Sequence, residues 1–242
     1  HVGEDGRCRI GPGLDRCGIV TASVHEGRRI GFARVREEPF SDLEQFAHAG
    51  AAACGNKAHR HQVAFAQALL EGIVQFLPLQ SDYVAQINQL LRAGEFEWCL
   101  LVKAGDEFTR SGLLIAGLEL LPDPDCRAVF CDGVLRQGNG EMGIALRPDF
   151  NLDYLLSLPT AMAHNWIFRR GVVLDAGGFD AAYTEALELE LILRLINQGG
   201  TSGFGHISEP LLINQAVVLR ENDGERRAIA EHLQQRGYQQ AL

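Results

Sequence analysis

No apolar run in this 242-residue chain reaches the roughly 18–20 positions that a membrane-spanning helix needs. A transmembrane segment is therefore not expected. The first residues, HVGEDGRCRIG, lack the apolar stretch of a signal peptide. There is no initiator methionine, so the expectation is a fragment of a longer chain, with adjoining domains, or a processed one. An excess of positive charge is missing too: 22 Lys and Arg face 31 Asp and Glu, for a net charge of −9. A general nucleic-acid binder needs a basic face to neutralise phosphates, so that class is excluded. A local basic pocket for a phosphorylated ligand is not. The six cysteines, Cys8, Cys17, Cys54, Cys99, Cys126 and Cys131, form no CxxC pair. Cys99 and Cys131 lie in apolar runs and are expected as reduced core thiols, which points to the cytoplasm. Neither an internal repeat nor a low-complexity segment is present.

The remaining composition, 46% hydrophobic and 22% charged, is that of an ordinary globular protein. The length suits one large α/β domain or two small ones. CGIVTASV (17–24) and RIGFARV (29–35) read as strands joined through a glycine-containing hairpin. Residues 41–72 read as mostly helical, opened by a capping box at Ser41 and Glu44 and closed at Gly72. GIVQFLPL (72–79) reads as a short strand. SDYVAQINQLLRAG reads as a helix capped by Ser81, with Val84, Ile87, Leu90 and Leu91 on one face and Gly94 as its stop. EWCLLVKAGDEF and CRAVFCDGVL read as buried strands on either side of a helix, SGLLIAGLELL. The alternation predicts an α/β fold with a mainly parallel sheet flanked by helices.

Both central strands run out into an acid, Asp106 and Asp132. In open α/β sheets ligands bind at that edge. GGFDAAYTEALELELILRL (177–195) adds Glu188 and Glu190 at the start of an apolar helix. Carboxylates from two strand ends and one helix start are therefore expected to meet in a single cleft.

Seven stretches, in order, carry a resemblance: GEFEWCLLVKAGDEFTRSGLL (94–114), AVFCDGVL (128–135), RPDFNLDYLLSL (147–158), FRRGVVLDAGGFDAAY (168–183), ELELILRL (188–195), GHISEPLL (205–212) and RRAIAEHLQQRGY (226–238). From about residue 80 onward the chain resembles the inverting glycosyltransferases of family 2, of the GT-A fold, and bacterial members that build polysaccharides or O-antigen. The resemblance implies a GT-A-like domain over 1–215, with 1–79 divergent, and a helical tail over 216–242 packed on it. The family's upstream Pro-x-x-Asn and base-holding Asp have no counterpart here, which implies a truncated or remodelled nucleotide-binding half.

The resemblance also implies the partners: a nucleotide-sugar donor and a glycan or lipid-linked acceptor, with the protein cytoplasmic or peripheral at the inner face of a membrane. Glu188 matches the catalytic base, which takes the acceptor hydroxyl proton as that oxygen attacks the anomeric carbon. The metal-holding Asp-x-Asp turn is represented by Lys103-Ala104-Gly105-Asp106. Asp106 and Asp132 would hold Mg²⁺ or Mn²⁺ on the donor diphosphate. Lys103 stands where an acid is expected, and an ammonium there would do part of the metal's work, making the reaction metal-independent. His206 is placed near the diphosphate, and His164, Trp166, Asp180 and Glu190 on the acceptor side. From the residues alone each has a plainer alternative: Asp132 a turn aspartate, Asp180 an N-cap, Trp166 a core residue, Glu190 the partner of Arg194. His59 and His61, at i and i+2, make a poor metal pair on a helix. The alternative function is a catalytically inactive GT-A-like scaffold domain of a larger glycan-assembly protein. A nucleotidyltransferase ranks lower, for want of a Gly-rich phosphate loop.

Overall fold

The computed structural model describes residues 17–22, 74–76, 82–103, 106–109, 112–120, 124–216 and 221–238. The strand expected at 29–35, its hairpin and the helical reading of 41–72 lie outside them. The elements in chain order are β1 (Cys17–Ala22), β2 (Val74–Phe76), α1 (Tyr83–Ala93), β3 (Trp98–Lys103), β4 (Glu107–Phe108), α2 (Gly112–Leu120), β5 (Ala128–Arg136) and β6 (Met142–Ala145). They continue with α3 (Leu152–Ser157), α4 (Pro159–Met162), β7 (Ile167–Arg169), α5 (Arg170–Asp175), a 3₁₀ turn (Ala181–Tyr183), α6 (Leu187–Gly199), β8 (Phe204–Gln215) and α7 (Asp223–Gln235). No helix among the described residues is long and apolar enough to cross a membrane.

The strands form one sheet in the order β2-β1-β3-β7-β5-β8-β4, with β6 paired to β5 as a hairpin. The sheet is mixed, and this corrects the expected mainly parallel one: β5 and β8 pair in parallel, whereas every other pairing is antiparallel. Part of the reason lies in β7. It is only three residues long, IFR, too short to stand out by alternation. It inserts between β3 and β5, antiparallel to both. Two reversals restore direction, so β3, β5 and β8 still run the same way. Their C-terminal ends share an edge, as a parallel sheet would have provided.

Alternation along β3 shows why this strand is central. Trp98, Leu100 and Val102 pack into one buried cluster with Val129, Cys131, Ile167 and the α2 residues Ala116 and Leu120. Cys99 and Leu101 point the other way, into a larger cluster with Phe130, Phe168, α1 and α6. Successive side chains of a strand face opposite sides, so β3 is apolar throughout because both of its faces are covered. Cys99 and Cys131 are free buried thiols, as expected, and burial pushes both up to about 12. Glycine permits one close approach here: a Cβ on Gly112 would stand 2.7 Å from the Leu211 Cα, so α2 can lie directly on β8.

Helix α1 buries Val84, Ile87 and Leu91 and ends at Gly94, whose N–H donates to the Leu90 carbonyl. Its N-cap is Asp82, one residue after the expected Ser81, which lies outside the described residues. The 226–238 stretch folds into α7. The Asn222 side chain caps it by accepting from Glu225 N, and it packs on α6.

Candidate functional site

The Gly-Gly turn before α6 is built by side chains from two elements. Gly177 and Gly178 have φ of 96° and 89°, a left-handed region open to glycine at little cost. A Cβ on Gly178 would also meet the Asn88 Oδ1 at 2.5 Å. Asn88, on α1, clasps Phe179 from both sides: its Nδ2 donates to the Phe179 carbonyl and its Oδ1 accepts from Phe179 N, each at 2.8 Å. Arg194 donates to the Ala176 and Gly178 carbonyls and makes a two-pronged pair with Glu190, 2.7 Å at each prong. Glu190 is therefore committed to Arg194, which replaces its acceptor-side role with a structural one. Both side chains are largely buried, at 13% and 23% exposure. Such forked ion pairs are stronger than exposed surface bridges. Glu190→Gln is expected to cost about 1 kcal/mol, read as a lower midpoint in urea unfolding, with ligand binding unchanged.

Two residues earlier in the helix, Glu188 points elsewhere. Its Oε1 accepts from Trp166 N at 2.8 Å, and the neighbouring Asn165 amide also favours the charged carboxylate. Burial pushes its pKa up to about 7, against the pull of those two amides and of the Lys103 and Arg147 charges. His164, the other proton-exchanging group close by, moves the opposite way. Burial, with Lys103 and Arg147 next, drives it down to about 4. His164 is thus neutral near pH 7, while Glu188 sits at the midpoint of its titration. The same two cations act on both groups.

The aspartates are deployed differently from one another. Asp106 is 4% exposed. Its Oδ2 accepts from Lys103 N at 2.8 Å, and its own N–H donates to the Lys103 carbonyl, closing the turn after β3. Burial raises its pKa, opposed by that amide, by the Asn214 side chain and by the Lys103 charge. Asp132 does not end its strand. It lies in the middle of β5, where the β8 register jumps from Ile207 to Pro210 to Leu212. The bulge accommodates Pro210, which has no N–H to give a ladder. Asp132 Oδ1 accepts from Arg147 N at 2.8 Å and lies 3.1 Å from His206 Nε2. The other ring nitrogen of His206 is 3.3 Å from Asp149, and the ring stacks on Phe130. His206 so clamps the segment carrying Arg147 and Asp149 against β5.

Asp132, Gly133, Arg147, Asn165, Leu212 and Asn214 line a small cleft with about 10 Å³ of room, enough for about one water molecule. Lys103 is exposed at the end of β3, where its charge is felt by Asp106, His164, Glu188 and Glu225. Two further placements correct the acceptor-side expectation. Trp166 is 0% exposed. Its indole packs among Phe130, Phe150, Phe168 and Phe204, with Nε1 donating to the Met162 carbonyl, so no ring face is left for a sugar. Asp180 is exposed and caps the 3₁₀ turn by accepting from Ala182 N at 2.8 Å, its plainer alternative.

Asp106 Oδ2 and Asp132 Oδ1 are engaged in separate networks, and among the described residues no three His, Cys, Asp or Glu side chains gather in a way that could hold an ion. Arg147 and Asn214 are the site residues that the sequence reading passed over. Arg147 stood in a quoted motif, RPDF, whose arginine was given no role. Asn214 sits in an apolar strand and gave no signal beyond being a polar residue among LLIN. Asn165, between His164 and Trp166, is the non-glycine residue with positive φ, 59°, among those described. Compared with models of known protein families and with curated proteins, the chain matches none.

Proposed function

We propose that this chain is an inverting glycosyltransferase with a GT-A-like architecture and a remodelled nucleotide half. It takes a nucleotide-sugar donor and a glycan or lipid-linked acceptor, in the cytoplasm or at the inner face of a membrane. The observation that carries the reading is Glu188: a carboxylate pushed up to about 7, between the charges of Lys103 and Arg147, in the helix that follows the Gly-Gly turn. A general base works best with a pKa near the working pH. In the reaction the acceptor hydroxyl gives its proton to the Glu188 carboxylate while its oxygen forms the new bond to the anomeric carbon. The bond from that carbon to the diphosphate breaks on the opposite face, and the diphosphate leaves with the electron pair. Lys103 and Arg147 supply fixed positive charge for it.

This arrangement makes donor binding independent of divalent metal. Titration calorimetry with nucleoside diphosphates, in EDTA and then in Mn²⁺, should give the same affinity within about twofold, and Lys103→Ala should weaken it about tenfold or more, as for a charge-assisted contact. Strict Mn²⁺ dependence, or full affinity in Lys103→Ala, rules this version out.

One observation favours a second reading, a catalytically silent GT-A-like scaffold domain. The cleft, with about 10 Å³ of room, is far below the roughly 300–1,000 Å³ of pockets that enclose a whole small molecule. On that reading no nucleoside diphosphate binds at all, with or without metal.

A further inference from the structure

We infer that Asn165 is a positioning residue: its left-handed backbone and its amide tether to β3 together present the main-chain N–H of Trp166 to the Glu188 carboxylate. This deepens the proposal that Glu188 is the base and rests on it. The geometry comes first. At φ of 59°, Asn165 occupies a region that L-residues rarely enter and that asparagine enters more readily than most. A left-handed residue turns successive N–H groups toward one side, making a concavity that holds an anionic oxygen. Here the Trp166 N–H donates to Glu188 Oε1, and the Asn165 amide beside it adds to the pull toward the charged form. The side chain fixes the turn from the other side, Nδ2 donating to the Leu101 carbonyl at 3.0 Å. Leu101 lies on β3, two residues before Lys103, so one residue links the strand that brings the cation to the helix that brings the base. Trp166 is held in the core on the C-terminal side, which leaves Asn165 as the adjustable part of the cradle.

Its consequence is chemical. The two amides favour the ionised carboxylate and oppose the desolvation that raises it. The charged groups facing Glu188 are Lys103 from the end of β3 and Arg147 from the segment after β6, and Cys99 on β3 feels the Glu188 charge in turn. Without the cradle, desolvation would raise Glu188 further and leave less of it ionised at neutral pH.

The test reads Glu188 directly, by ¹³C NMR titration of its side-chain carboxyl in the full chain. Asn165→Gly keeps positive φ without strain but loses the tether to Leu101, so the midpoint should rise by roughly half a unit. Asn165→Ala loses the tether and disfavours the left-handed backbone, so the midpoint should rise by about one unit or more, as expected on losing hydrogen bonds to the charged form. If turnover is measurable, the acidic limb of its pH profile should move by the same amounts while donor affinity holds. The glycine variant is tolerant of the backbone and keeps the test open should the alanine variant not fold. A midpoint unchanged from wild type in every variant that folds overturns the inference. A midpoint that shifts as expected in a protein with no transferase activity keeps Asn165 as the positioning residue and removes the transferase reading instead.

Discussion

Glu188→Gln should lower turnover by about 10²-fold or more, the usual cost of losing a general base, while donor affinity stays within about twofold. Glutamine keeps the shape and can still accept from Trp166 N, but it cannot take the acceptor's proton. The pH dependence supplies a second signature. The wild-type carboxyl is raised to about 7, so turnover should climb from pH 6 to pH 8 and then level off. His164 cannot produce that limb, because burial and the same two cations hold it down near 4.

Stability should move the other way. Glu188 in the folded protein has a pKa above its ordinary value of 4.5. The stability it contributes is fully present below about pH 4.5 and is lost as pH rises through about 7, where folding must carry a poorly solvated charge. Glutamine never ionises. Glu188→Gln should therefore be the more stable protein at pH 8.5, by roughly 1–2 kcal/mol, with the gap closing by pH 5. Thermal melts at both pH values read this directly. A variant that is inactive and more stable at high pH identifies a residue kept for chemistry. A variant with wild-type turnover, in a demonstrably active preparation, makes Glu188 a structural acid at a helix start.

The elements that could be read from sequence are those whose signal is local. The apolar faces of α1 and α6, the unbroken apolar run of β3 and the Gly-Gly turn follow from periodicity and from backbone freedom. So does the Glu190–Arg194 pair, which helical spacing alone brings together. The sheet's direction could not be read, because it depends on a three-residue strand whose role is fixed by its neighbours. Asp132 was misplaced at a strand end for a similar reason. DG reads as a turn, yet β6 and the β8 bulge hold the chain extended through it. The roles of Trp166 and Arg147 depend on what surrounds them in space. A tryptophan reads the same whether it lines a core or a sugar site, and an arginine before a proline carries no mark of the cleft it will face.

Arg147 is where that hidden part of the site has its largest consequence. Its main-chain N–H is bonded to Asp132 and its Nη1 donates to the His164 carbonyl at 3.0 Å. Burial works against its charge, while Glu188, Cys131, Asp132 and Tyr154 favour it. Arg147→Met keeps the length of the stem and the main-chain bond to Asp132 but removes the guanidinium. Donor diphosphate should then bind about 30-fold more weakly or worse, the cost of about 2 kcal/mol or more for truncating one partner of a buried, hydrogen-bonded charge pair. The Glu188 midpoint should also rise, because Arg147 is one of the two cations that lower it, so the acidic limb of turnover moves to higher pH in the same variant. Arg147→Lys should recover little of either. A lysine ammonium is a point charge on a flexible stem and does not reproduce a planar fork that reaches the His164 carbonyl while facing the cleft. The two readouts separate the two jobs. Weaker binding with an unmoved Glu188 leaves Arg147 as a ligand for the diphosphate alone, and a moved Glu188 with full affinity leaves it as a neighbour of the base. Wild-type values of both would take Arg147 out of the site, and with it the proposal that its charge serves the diphosphate.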